Sequence, residues 1–211
     1  MSLSADQGKS KIELDSHADL PVVGNNAYII ERTGKKVSIS GFTDELGKSL
    51  LVDVVNAAVV YDCDTTGESY LLLLHNTLYV HSLSSCLINP FIIRLAGITV
   101  DECPKSLANI PSVTHHSLYL PEDKIRIPLA LVRIISYFPY CKPRGEEVGT
   151  LMIVLALTPA MTSWNSHNSI HQKQEESMVD LRKYISMPRI ASLLFPVLFH
   201  VPRIHLSLLM T

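Results

Sequence analysis

The stretch that decides the fold is residues 50–80, LLVDVVNAAVVYDCDTTGESYLLLLHNTLYV. Two runs rich in valine and leucine flank a turn of Asp, Thr and Gly residues at 64–67, and this pattern predicts a β-hairpin. The second run contains four consecutive leucines at 71–74. A continuous apolar run of this length is typical of a strand that is buried on both faces, so we expect the hairpin to lie inside a sheet.

Further short strands are predicted on both sides of this hairpin. Val37 and Ile39 alternate with serines, as in a half-buried strand, and residues 33–35 are predicted to form the turn before it. A short helix over 90–96 is predicted to end at Gly97, because glycine commonly follows the end of a helix. The other predicted strands are 12–14, 26–32, 98–100, 116–121, 124–129 and 133–140. The expected fold class is mainly β with one short helix.

The composition of the chain changes after residue 141. A polar segment, KPRGEEVG, follows at 142–149, and a weak helical pattern lies at 175–184. The end of the chain is apolar but is interrupted by three prolines, which break helices. We therefore expect three regions: a disordered N-terminus at 1–11, one domain at 12–141, and a linker with a poorly ordered apolar extension at 142–211.

The bulk composition excludes several classes of protein. The chain is 47% apolar with a net charge of −2, so we expect a globular domain without the basic surface that binds nucleic acid. The apolar run LMIVLAL at 151–157 is far shorter than the ~20 residues of a membrane-spanning helix. None of the four cysteines forms a C-x-x-C pair, and the polar N-terminus does not read as a secretory signal. We expect a cytoplasmic or otherwise intracellular protein with no membrane partner and no cofactor.

A polar cluster follows the first predicted strand, within KIELDSHADLPVVGNN at 11–26. The Asp-Ser pair formed by Asp15 and Ser16 is the arrangement of an aspartic protease, in which two adjacent carboxylates share one proton. Glycine normally comes next, and here the residue is His17. Taken alone, the tripeptide favours a simple turn in which the Asp15 carboxylate accepts hydrogen bonds from nearby backbone amides.

The same segment raises the hypothesis of a divalent-metal site. If the chain is extended here, Asp15, His17 and Asp19 point to one face, and two carboxylates with an imidazole can bind a divalent metal. Such a site needs at least one further ligand. The candidates are His75, His81, His115 and His116. These four histidines are favoured more strongly as structural residues held by hydrogen bonds.

Five segments follow one another along the chain: ELDSHADLPVVGNNAYII, VSISGF, AAVVYDCDTTGESYLLLLHNTLYV, LINPFIIRLAGITVDECP and KIRIPLALVRIISYF. Together, over residues 12–140, they resemble the protease region of Copia-type long-terminal-repeat retrotransposon polyproteins, in the branch that carries ELDSHAD. The resemblance implies a retropepsin-like fold, a small closed β-barrel whose protomers pair as a homodimer. It also implies an aspartic endopeptidase that cleaves a polypeptide substrate, the element's own polyprotein.

The resemblance also assigns residues to this site. By position, Asp15 would be the catalytic aspartate, and Ser16 and His17 would belong to its hydrogen-bonding network. Histidine at the third position is part of this branch's own pattern. The segment 41–49 is the candidate flap over the substrate by its composition, and its residues of interest are Gly41, Phe42 and Gly47.

A second hypothesis is a folded but catalytically inactive fragment of a retrotransposon polyprotein. It is indicated by His17 in place of the usual glycine and by Pro21, which cannot donate a backbone hydrogen bond. The apolar end of the chain points the same way. The metal site at Asp15, His17 and Asp19 is the third hypothesis.

Overall fold

The computed structural model describes residues 9–39, 49–145, 148, 153–160 and 169–185. The candidate flap residues Gly41, Phe42 and Gly47 lie outside these ranges, as does the apolar end of the chain after residue 185. The described part of the chain is mainly β, as predicted. It contains no helix with the length and apolarity needed to cross a membrane.

The described residues form twelve strands, two α-helices and a short 3-10 helix at Lys105–Leu107. The strands are β1 (Ser10–Leu14), β2 (Val22–Val23), β3 (Tyr28–Ile39), β4 (Leu50–Asp62), β5 (Ser69–Tyr79), β6 (Cys86–Ile88), β7 (Thr99–Asp101), β8 (Ser117–Leu120), β9 (Ile125–Pro128), β10 (Ala130–Val132), β11 (Ile135–Tyr140) and β12 (Ile153–Ala156). The α-helices are α1 (Pro90–Leu95) and α2 (Ile170–Ile185). The sequence did not predict β2, β6, β10 or β12, which are short.

The hairpin predicted over residues 50–80 is confirmed. Strands β4 and β5 pair antiparallel, with Tyr61 opposite Tyr70. In the turn between them Gly67 has a φ of +73°, a conformation that glycine adopts without steric cost. Leu72 packs into the main core and Leu71 into a smaller cluster on the other face. Both faces of β5 are therefore covered, as the leucine run predicts.

Nine strands form one sheet in the order β10-β11-β1-β6-β2-β5-β4-β3, with β12 beside β5. Strands β7, β8 and β9 form a second sheet. Both sheets contribute to one apolar core, whose fully buried residues include Ile12, Leu72, Leu118, Ile127 and Phe138. Cys141, the residue after β11, pairs with Val60 of β4 through two backbone hydrogen bonds of 2.8 and 2.9 Å.

The described strands extend into both regions that the sequence analysis set apart from the domain. Ser10 and Lys11 pair with Tyr140 and Pro139 of β11, so β1 begins within the segment 1–11. Strand β12, within the segment 142–211, pairs in parallel with β5. The chain divides into two compact units, 1–166 and 167–211, and α2 lies in the second. Residues 10–11 and 153–156 are ordered by pairing with strands that are distant in sequence, and local composition does not predict such pairing.

The turn predicted at residues 33–35 is wrong. Strand β3 runs continuously through these residues and pairs with β4 on both sides of them. The register shifts between Arg32 and Lys36, and Gly34 has a φ of +77°. The glycine therefore marks a bulge inside one long strand, because the partner strand β4 continues past it.

Three of the histidines considered as metal ligands make hydrogen bonds to neighbouring hydroxyl groups. The Nδ1 atom of His81 lies 3.0 Å from the Tyr79 hydroxyl, and that of His115 lies 2.8 Å from the Ser112 hydroxyl. His116 is buried, with Nε2 3.0 Å from the hydroxyl of Ser136 in β11. These contacts agree with structural roles.

The buried His116 is expected to make stability depend on pH. Burial lowers the pKa of its imidazole, the nearby Lys105 lowers it further, and Asp101 and Glu102 oppose the shift. The unfolded chain therefore takes up this proton at a higher pH than the folded chain, so acidification below about pH 6.5 destabilises the fold. Urea unfolding between about pH 7.5 and about pH 5.5 should show a smaller loss in His116→Gln than in the native chain. An equal loss in both would contradict this prediction.

Candidate functional site

Asp15 is the first residue after β1, at the point where that strand leaves the sheet. Strand β1 pairs in parallel with β6, with Leu14 opposite Ile88. The Asp15 amide then donates a hydrogen bond of 3.0 Å to the carbonyl of Ile88. This bond extends the ladder by one residue, so the backbone of Asp15 is fixed by the sheet while its side chain leaves it.

The Asp15 carboxylate is held from one side and open on the other. Its Oδ1 atom accepts a hydrogen bond of 2.9 Å from the His17 amide, and the Asp15 carbonyl accepts one of 3.3 Å from the Ala18 amide. The side chain remains 39% exposed. The turn expected of an Asp-Ser pair is therefore present, and it fixes the direction of a carboxylate that solvent reaches.

Asn89 ties the Asp15 loop to the start of helix α1. Its Nδ2 atom donates to the carbonyls of Ser16, at 3.1 Å, and Ala18, at 2.9 Å. Its Oδ1 atom accepts from the Phe91 amide at 2.8 Å and so caps the helix. The sequence analysis did not identify this residue. The available signal was an asparagine directly before a proline at the first helical position, which is a typical helix start.

We expect Asn89→Ala to destabilise the fold by ~2 kcal/mol, because it removes a helix cap and leaves two loop carbonyls without their donor. Urea unfolding of the native and variant chains measures this loss. Asn26→Ala is the matched control, since the Asn26 side chain donates one hydrogen bond, to the Ser84 carbonyl. If Asn89→Ala lowers the free energy of unfolding no more than Asn26→Ala does, then Asn89 does not hold the Asp15 loop against helix α1.

Ser16 and His17 lie on the exposed side of the loop. The Ser16 hydroxyl is 3.5 Å from Nδ1 of His17, and the same nitrogen is 3.7 Å from Oδ1 of Asp15. The His17 side chain is 69% exposed. Its backbone is not among those with positive φ, so this turn accepts a side chain at the position where the protease motif normally has glycine.

The structure does not gather the three residues of the metal hypothesis into a metal-binding group. The Nδ1 atom of His17 lies 3.7 Å from Oδ1 of Asp15, and Asp19 is exposed further along the loop. Among the described residues there is no group of three or more His, Cys, Asp and Glu side chains placed to hold a metal ion. The turn at 16–17 explains this, because a turn abolishes the common face that an extended segment would give.

A shallow cleft is lined in part by the residues that directly follow the Asp15 loop in the sequence. Its wall includes Leu20 and Pro21, Ile92 of helix α1, and His75 and Asn76 from an irregular part of β5. Pro21 is buried there, and its carbonyl accepts a hydrogen bond of 2.8 Å from the amide of Leu78. Pro21 therefore contributes a carbonyl acceptor to the pairing with β5. The N–H group that proline lacks is not needed for β2 to pair with β5.

Comparisons of this chain with protein-family models, with curated protein sequences and with solved structures gave no match. The site is therefore described by its own geometry. That geometry is the Asp15 carboxylate at the end of β1, held by a hydrogen bond from the His17 amide and 39% exposed to solvent.

Proposed function

We propose that this chain is one protomer of a retropepsin-like aspartic endopeptidase of the Copia type, in which Asp15 from each of two copies acts on a polypeptide. The observation that carries the proposal is the fixed and solvent-accessible Asp15 carboxylate in a loop clamped by Asn89. The Asp-Ser pair occurs once in the sequence. We take the second carboxylate from a second copy of this chain, as the homodimer of the Copia resemblance implies.

The proposed chemistry follows from placing two such carboxylates side by side. Like charges at hydrogen-bonding distance cannot both ionise, so the pair holds one proton. The ionised member takes a proton from water as the water attacks the peptide carbonyl, and the protonated member donates its proton to the carbonyl oxygen, which gives a gem-diol. The member that gained a proton then donates it to the amide nitrogen, the other carboxylate takes a proton from a diol hydroxyl, and the C–N bond breaks to release the amine and the new carboxyl group. Rigid loops favour this reaction because the carboxylates must not move apart. The amide of His17 and the side chain of Asn89 supply that rigidity.

The proposed fold is a small closed β-barrel. The pairings run from β11 through β1, β6, β2 and β5 to β4, and the bridge between Val60 and Cys141 leads back to the end of β11. A circuit of pairings of this kind supports a closed barrel. The order of elements around Asp15, with β6 leading into α1 and then Gly97 and β7, also agrees with the Copia pattern.

The test is a cleavage assay with the purified full chain. The substrates are unfolded polypeptides, assayed from acidic to neutral pH with and without a statine-containing peptide inhibitor. We expect inhibitor-sensitive cleavage whose rate per chain rises with protein concentration, because only the paired form is active. Absence of cleavage at every concentration of a folded chain would overturn the proposal and favour the inactive fragment. Cleavage at the same rate with and without the inhibitor would show that the chain does not act as an aspartic endopeptidase.

A further inference from the structure

Strand β12 completes the sheet with a segment from beyond residue 141. One edge of β5 pairs with β4, and the other edge pairs with β2 at Leu78 and Tyr79. Further back on this second edge, the backbone of Tyr70 to Leu73 pairs in parallel with β12. We call the edge of β5 at residues 70–75 the β5 groove, and we call residues 153–158 the β12 segment. The β12 segment lies along this groove as an added strand.

The contacts of the β12 segment follow the pattern Leu-x-Leu-Thr. Leu155 and Leu157 are buried, and both belong to the main core. The Leu157 amide donates a hydrogen bond of 2.8 Å to the Leu73 carbonyl. The Thr158 hydroxyl accepts from the His75 amide at 2.6 Å and donates to the His75 carbonyl at 3.3 Å. The β5 groove therefore binds two apolar side chains at alternate positions, followed by one hydroxyl group.

The hydroxyl group of Thr158 serves an irregular part of β5. The register between β4 and β5 shifts here, and Asn76 has a φ of +51°. An irregularity of this kind interrupts the regular ladder, so its backbone groups need other partners. The Oδ1 atom of Asn56 accepts from the Asn76 amide at 3.1 Å, and Thr158 serves both backbone groups of His75. A side chain without a hydroxyl at 158 would leave the His75 amide without its acceptor.

Strand β12 is held by fewer pairings than the strands at the centre of the sheet. Strand β1 pairs on both edges, with β6 and β11. Within the part of the chain that the structure describes, β12 pairs on one edge, with β5. It is four residues long, and its residues Ile153 and Val154 are exposed. A short strand paired on one edge opens at a lower free energy than the core of a sheet.

We propose that the β5 groove is a binding site for an extended polypeptide segment of the pattern Leu-x-Leu-Thr, in which the β12 segment is a detachable occupant that the same segment of a separate polypeptide replaces. An open strand edge binds an added strand through main-chain hydrogen bonds, and pockets for alternate side chains give specificity. The occupant has this pattern because residues 155–158 make these contacts in the groove. No activity at Asp15 is needed for this binding.

The experiment uses the full chain with the recognition sequence of a site-specific protease inserted after Gly149. Cutting there breaks the connection between β11 and the β12 segment. A fluorescein-labelled peptide of residues 151–160, LMIVLALTPA, is titrated with cut and uncut chain, and fluorescence anisotropy measures binding. We expect a dissociation constant at least about tenfold lower for the cut chain, because the tethered segment competes at an effective concentration of about 1 mM. Equal dissociation constants would overturn the proposal.

Altered peptides test the individual contacts without changing the folded chain. Leu157→Ser in the peptide should raise the dissociation constant at least about tenfold, because the side chain that it replaces is fully buried. Thr158→Val should raise it at least about fivefold, because the His75 amide loses its acceptor. Val154→Ser is the matched control at an exposed residue, and it should change the value less than about threefold. Tight binding of the Leu157→Ser peptide would overturn the proposal.

Hydrogen exchange of the native, uncut chain tests whether the β12 segment detaches by itself. The amides of His75 and Leu157 both take part in hydrogen bonds between β5 and this segment. We therefore expect the two amides to share one opening constant. The Val60 amide, which donates to the Cys141 carbonyl at 2.9 Å, should be protected at least about tenfold more strongly. Equal protection of all three amides would mean that the segment opens only with the whole domain, and the proposal would be overturned.

Sedimentation of the uncut chain distinguishes the two sources of the segment. We expect excess peptide to leave the oligomeric state of the chain unchanged, because the peptide replaces a segment that belongs to the same chain. If the uncut chain instead forms dimers that excess peptide converts to monomers, the β12 segment is exchanged between two copies. That result would overturn the assignment of a separate polypeptide as the occupant.

Discussion

Replacing Asp15 by asparagine is expected to lower endopeptidase activity at least about 10³-fold, because an amide can neither take up nor deliver the proton that the carboxylate pair transfers. The change is small in other respects. The asparagine oxygen can still accept the hydrogen bond from the His17 amide, and the Asn89 side chain binds backbone carbonyls that the change does not touch. Measuring kcat/KM on a quenched fluorescent peptide, together with the melting temperature, therefore separates lost chemistry from lost structure.

Asp123→Asn is the control for this experiment. Asp123 is exposed in the turn between β8 and β9, so the same loss of charge there should leave kcat/KM and stability unchanged. Activity that survives Asp15→Asn would exclude the proposed mechanism. Activity that falls equally in both variants would show that the assay reports net charge and not the site.

Replacing Phe138 by alanine is expected to lower the free energy of unfolding by ~4 kcal/mol, since a large ring is removed from the core and leaves a cavity. Phe138 is fully buried in β11, lies opposite Ile12 of β1 and contacts the ring of Tyr61 edge to face with centroids 6.2 Å apart. Domains of this size are stable by about 5–15 kcal/mol. The variant should therefore unfold at a much lower urea concentration.

Phe91→Ala is the matched control, because it makes the same substitution in helix α1 at a ring that is exposed. We expect it to cost less than about 1 kcal/mol. A comparable loss in both variants would mean that β11 does not share the core that the buried residues describe. Loss of activity in Phe138→Ala without loss of stability would equally contradict the prediction.

The sequence alone predicted those features that depend on neighbouring residues. The leucines at 71–74 and the Asp/Gly turn before them produced the hairpin of β4 and β5. Helix α1 was predicted because Gly97 ends it, and this glycine has a φ of +81°. The turn at Asp15 was also predicted, because a short acidic side chain accepts hydrogen bonds from amides two residues away.

Other features depend on pairs of residues that are distant in sequence. The clamp between Asn89 and the Asp15 loop joins two segments more than seventy positions apart. Strand β12 lies within the apolar run at 151–157, and it is ordered by pairing with the distant strand β5. The glycine at position 34 was read as a turn because the continuing partner strand β4 cannot be seen from local composition.

By itself, then, the sequence determined a mainly β chain, the central hairpin and the Asp-Ser loop, since backbone preferences and side-chain periodicity act over a few residues. Tertiary structure alone decided where that loop lies. Pairing of β1 with both β6 and β11 fixes the end of β1, and it places Asp15 beside the end of β6. Such pairings are selected by burial of a common core, and no local segment of the chain contains that information.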